Sequence, residues 1–168
     1  MIKMVLTFIA LFTMDNLLMI FMPLQPLFGH YVIVPNVFLI GLGLFCFFDQ
    51  KKTALILALV FGLIYDVYAT NLIGIHVTLF PAIVVVLKTY IVPITPINFI
   101  SMAAVSGACV LIKELVIYLL FNAFSYQVMS LLSFVQYRLF ITGIFNLMIF
   151  VLIYLPLIKI FKSYLEKS

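Results

Sequence analysis

From Ile2 to Phe161 this sequence is a succession of long apolar runs separated by short polar gaps. A helix needs about 20 apolar residues to cross the hydrocarbon core of a bilayer, and several of the runs approach or exceed that length. The composition agrees. Of the 168 residues, 67% are hydrophobic and 8% charged, where soluble domains carry about 25% charged residues. The mean hydropathy is +1.38. The chain is therefore expected to be an all-α polytopic membrane protein, with room for about six spans in one integral membrane domain and none for a sizeable extramembrane domain. Met1-Ile2-Lys3 leads straight into apolar sequence with no small-residue cleavage pattern, so the first run reads as a retained helix rather than a signal peptide.

Prolines and short polar groups divide the runs into a compact bundle of six transmembrane helices, at about 2–22, 32–48, 53–68, 75–92, 97–121 and 134–161. The first is closed by Pro23-Leu24-Gln25-Pro26 and the fourth by the turn Pro93-Ile94-Thr95-Pro96, where proline cannot continue a helix. In this layout Lys3, Lys51, Lys52, Lys88, Lys159, Lys162 and Lys167 fall on one side, and the opposite loops contain no Lys or Arg. Cytoplasmic loops near span ends carry the excess of basic residues, so both termini are expected in the cytoplasm. That scatter of lysines in short gaps also accounts for the net charge of +4 without nucleic acid, which would call for a clustered basic face.

Five ionisable side chains fall inside these runs: Asp15, Asp66, the adjacent Lys113 and Glu114, and Arg138. A charge at the centre of a membrane helix costs about 2.5–3.5 kcal/mol on insertion scales, so such groups face a protein interior and find partners. The six-span layout puts Asp15, Asp66, Glu114 and Arg138 at a similar depth. Neighbours on a helix point about 100° apart, so Lys113 and Glu114 do not face one partner squarely, and one is available to Asp66 and the other to Arg138. Asp15, beside Thr13 and Asn16, is open to a second reading in which it faces a water-filled cavity. The leading reading of the group is interhelical polar contact. A ligand pocket and a charged face for a partner helix are the alternatives.

Other chemistry has little support. His30 and His76 lie near span ends and read as loop anchors rather than metal ligands. Cys46 and Cys109 lie within apolar runs without metal or redox spacing and read as packing residues. No nucleophile-base arrangement or phosphate-binding glycine loop is present in the sequence, so neither an enzyme nor a cofactor is expected. Gly41, Gly43 and Gly62, with Ala103, Ala104, Ser106, Gly107 and Ala108, allow close helix approach, and the last group makes the fifth span a candidate for the bundle centre.

The segment from Phe61 through Gly62-Leu63-Ile64-Tyr65-Asp66 to Gly74-Ile75-His76 resembles a short motif of the rod shape-determining MreD family, with Gly62, Asp66, Gly74 and His76 matching residue by residue and Ile75 standing where Leu is common. Length, span number and basic tail resemble the family along the whole chain. The resemblance implies a non-enzymatic scaffold in the bacterial cytoplasmic membrane that contacts a single-span MreC-like partner. Through that partner it implies links to an MreB-like filament, a RodA-like glycosyltransferase and a penicillin-binding transpeptidase. The alternative is a substrate-binding membrane subunit of an energy-coupling vitamin transporter, also a small six-span bundle.

Overall fold

The computed structural model describes residues 2–21, 32–49, 51–70, 74–124 and 130–165, and among them the chain forms six helices and no strand. Helix α1 is Ile2–Phe21 and α2 is Val37–Cys46. Helix α3, Thr53–Tyr65, is prolonged by a π-helical turn, Asp66–Thr70. Helix α4, Ile75–Val86, continues through a π turn, Leu87–Ile91, and a 3-10 turn, Val92–Ile94. Helix α5 is Phe99–Ala123, and α6 runs Leu131–Leu165 with a π turn at Val135–Leu139. The expected features at Pro23–Pro26, Gly29, His30, Asn71 to Ile73 and Lys167 lie outside the described residues.

Four of these helices are long and apolar enough to cross a membrane: α1, α4, α5 and α6. The other two correct the expectation of six comparable spans. Helix α3 with its extension is an apolar stretch of Thr53–Tyr68, and α2 has only ten residues instead of filling 32–48. The cause is local. Pro35 disfavours helical backbone at the residue before it, and residues 32–36 are non-helical. Fully extended, those five residues reach at most about 16 Å, and ten helical residues add about 15 Å, so this thin segment still matches a hydrocarbon core of about 30 Å.

All ten residues of α2 are buried, which makes α2 the centre of the bundle rather than α5. Helices α1, α5 and α6 pack around it, α5 bringing Ser106 against Gly43. Between helices in lipid, close packing supplies much of the attraction that water supplies in soluble cores. Phenylalanines provide much of it here: the Phe8 ring lies 5.6 Å from Phe38 and 5.5 Å from Phe45, and Phe45 lies 5.1 Å from Phe161.

Helices α3 and α4 form a tight hairpin alongside. A Cβ on Gly62 would lie 2.7 Å from the His76 carbonyl oxygen and 2.8 Å from the Val77 Cα, so only glycine lets these backbones touch. Gly74 has φ +127° immediately before α4, a conformation that side chains oppose. Two helix starts are closed locally: Asn98 Oδ1 accepts from Ser101 N at 2.8 Å for α5, and Ser130 Oγ from Ser133 N at 3.2 Å for α6. Ser130 thereby opens α6 three residues ahead of the expected start at 134.

Candidate functional site

Helices α2, α3 and α4 lack a capping hydrogen bond from their own N-cap residue, and each start is met by an aspartate. Asp15, from α1, accepts from Val37 N at 2.6 Å and Phe38 N at 3.0 Å. Asp49 accepts from Ala54 N at 2.9 Å at the start of α3. Asp66, at the end of α3, accepts from Gly74 N at 2.8 Å, His76 N at 2.7 Å and Val77 N at 3.1 Å at the start of α4. The unsatisfied N–H groups and positive end of a helix dipole suit a carboxylate, which is how these anions are stabilised among apolar helices. Asp15 and Asp66 are thus bound chiefly by backbone, not by the lysine and arginine of the sequence-derived pairing.

Glu114 takes both of those cations. Lys113 Nζ lies 2.9 Å from Glu114 Oε1, and Arg138 Nε and Nη2 lie 3.0 and 2.9 Å from Oε2. Glu114 meets Arg138 as expected, but the expected pairing of Lys113 with Asp66 is corrected: Lys113 turns to Glu114 and Asn36 instead. The Cα–Cβ directions of Lys113 and Glu114 diverge, but the four-carbon stem of lysine bends back to the adjacent carboxylate. Glu114 is fully buried and Lys113 nearly so. Each π turn also carries one charged residue, Asp66, Lys88 or Arg138, and each of the three is ion-paired or hydrogen-bonded across helices.

The network extends into the non-helical residues before α2. Irregular backbone at membrane depth persists only where protein satisfies it, and here α6 does so. Val32 N donates to Tyr137 O at 2.9 Å, Asn146 Nδ2 to Val34 O at 2.8 Å, and Asn36 N to Asn146 Oδ1 at 2.7 Å. Thr142 Oγ1 accepts weakly from Val34 N at 3.3 Å. Asn36 Oδ1 then receives Lys113 Nζ at 2.7 Å, linking the α2 lead-in to the ionic cluster. Tyr65 OH donates to Asp15 Oδ2 at 2.5 Å and brings in α3.

Of the residues singled out in the sequence, Asp15, Lys113, Glu114 and Arg138 thus form one connected network with Asn36, Asn146 and Tyr65. Asp66, His76, Gly62 and Gly74 form the α3–α4 joint, where His76 Nδ1 lies 2.9 Å from Asp66 Oδ1. A cavity of about 310 Å³ separates the two groups, and its walls include Asp15, Asn36, Tyr65, His76, Lys113 and Arg138. Asn36, Thr142, Asn146 and Asp49 had not been identified from the sequence. A usable signal existed for Asn36, because it follows Pro35, and for Asn146, a buried amide in an otherwise apolar helix.

An apolar groove of about 460 Å³ runs between α4 and α5, lined in part by the small side chains of Ala82, Ala104 and Ala108. No curated protein and no solved structure matches the chain. The family model described as rod shape-determining protein MreD matches residues 1–164. With that match along almost its whole length and with helices suited to repeated membrane crossing, the chain belongs to the MreD family of rod shape-determining membrane proteins.

Proposed function

We propose that this protein is a non-enzymatic scaffold of the peptidoglycan elongation machinery in the bacterial cytoplasmic membrane, acting through contact with a single-span MreC-like partner. The match to the family over residues 1–164 carries this reading. The use of the polar network supports it, because Asp15, Asp66 and Asn146 spend their hydrogen bonds on the backbone of the molecule's own helices. Such a network makes a rigid body against which a partner can be held. A partner's single helix would pack in the groove between α4 and α5, where Ala104 and Ala108 let another backbone come close. Through the partner the scaffold would reach an MreB-like filament, a RodA-like glycosyltransferase and a penicillin-binding transpeptidase. Both termini lie in the cytoplasm in this reading, following the lysine distribution.

Depletion in rod-shaped cells that express the chain should make them widen or round up, and affinity purification from their membranes should recover a single-span protein. Ala108→Trp, which fills the groove, should reduce that recovery while the chain remains at normal abundance. Normal cell shape after depletion, with loss of uptake of a vitamin instead, would overturn the scaffold reading.

A further inference from the structure

The cavity between the ionic network and the α3–α4 joint retains hydrogen-bonding capacity that the fold does not use. The carboxylates are occupied: Asp15 by two backbone N–H groups and Tyr65, and Glu114 by Lys113 and Arg138. Two kinds of group remain. Arg138 turns Nε and Nη2 to Glu114, and its Nη1 has no partner among the described residues. Lys113 Nζ has three protons and two acceptors, Asn36 Oδ1 and Glu114 Oε1. The other kind is an acceptor. His76 is only 4% exposed, and its Nδ1 is held against an Asp66 carboxylate oxygen that can only accept while ionised, so Nδ1 carries the proton and Nε2 presents a lone pair. His76 is part of the cavity wall, and Nε2 has no partner among the described residues.

These three groups belong to the wall of one cavity, and together they complement a single kind of guest. The guest would place oxyanion oxygens on Arg138 and Lys113 and donate a hydroxyl to His76. The wall residues Asp15, Lys113 and Arg138 carry a formal charge of +1 that Glu114, paired to both cations from outside the wall, brings to zero, and the positive end of α2 adds to it, so a further negative charge is not opposed. At about 310 Å³ the space suits a small ligand or a headgroup.

We propose that this cavity binds a hydroxyl-bearing phosphate ester, held by Arg138 Nη1 and Lys113 Nζ at the phosphate and by His76 Nε2 at the hydroxyl. The site does not depend on the scaffold role. Its chemistry is shared by the headgroup of phosphatidylglycerol and by soluble glycerol 3-phosphate. Phosphatidylcholine has the phosphate but neither an O–H nor an N–H to give His76, and its own cation would face Arg138.

The test uses the full chain in nanodiscs and follows acylation of His76 by diethylpyrocarbonate, located by peptide mass spectrometry. In phosphatidylcholine alone His76 should react, because Nε2 is unoccupied. Phosphatidylglycerol in the disc, or glycerol 3-phosphate added to phosphatidylcholine discs, should slow the reaction about tenfold at a concentration some ten times the dissociation constant. Protection by the lipid alone would identify a lipid ligand, and protection by the soluble ester alone a soluble one. Arg138→Lys keeps a cation for Glu114 but removes the second guanidinium arm. It should abolish protection while leaving the rate in phosphatidylcholine unchanged. Failure of His76 to react in phosphatidylcholine, equal rates in all three conditions, or protection that survives Arg138→Lys would overturn the site. If the variant does not accumulate, the three rates of the unmodified chain still decide.

Discussion

At single positions the backbone is often the partner that matters. Gly62 sits where an added Cβ would strike the carbonyl oxygen of His76 and the Cα of Val77, and neither can swing aside as a side-chain end would. Gly107, on α5, has nothing within 4 Å of the same atom. Gly62→Ala should therefore lower stability by about 1–3 kcal/mol through overpacking. Gly107→Ala should be neutral or stabilise by up to about 1 kcal/mol. Thermal unfolding of the two variants in one detergent checks the pair. Because the clash at Gly62 lies at the first turn of α4, the loss should come with loosening of the Asp66–His76 contact next to it.

Among the elements, α2 with its lead-in departs furthest from a sequence-based expectation. Long, strongly apolar helices were legible because each carries its own signal, and α1, α4, α5 and α6 fall within a few residues of their expected ends. The break before α2 was legible only in part. Pro35 marks it, but the bonds that stabilise it come from Asp15 on one side and Asn146 on the other, and spacing along the chain does not connect them. The ionic pairing was legible for Glu114 with Arg138, and the pairing of Lys113 with Asp66 failed for a similar reason. Its charged members were all found, but the backbone N–H groups that took up Asp15 and Asp66 have no letter in the sequence. Asn146→Ala removes the acceptor for Asn36 N and one donor to Val34 O. It should cost about 1–3 kcal/mol, read as about 5- to 160-fold faster amide exchange in residues 34–38 with α4 unaffected.

The molecule as a whole is assembled around a helix too short and too irregularly entered to be at home in lipid by itself. Its partners are unevenly spread along the chain: Asp15 precedes Val37 by 22 residues, whereas Asn146 follows Val34 by 112. During synthesis α1 is available when α2 emerges, but α6 is made after the other five described helices. Until then the carbonyl of Val34 and the amide of Asn36 lack the amide side chain that meets both, and irregular backbone is poorly tolerated in the bilayer. A chain ending at residue 130 should consequently be degraded in cells, and co-expression of residues 131–168 as a separate piece should restore its level, as pulse-chase labelling would show. An Asn146→Ala piece should restore it less. Helix α6 would then act as a check on synthesis, admitting the central helix to its place only in chains that have been made through α6.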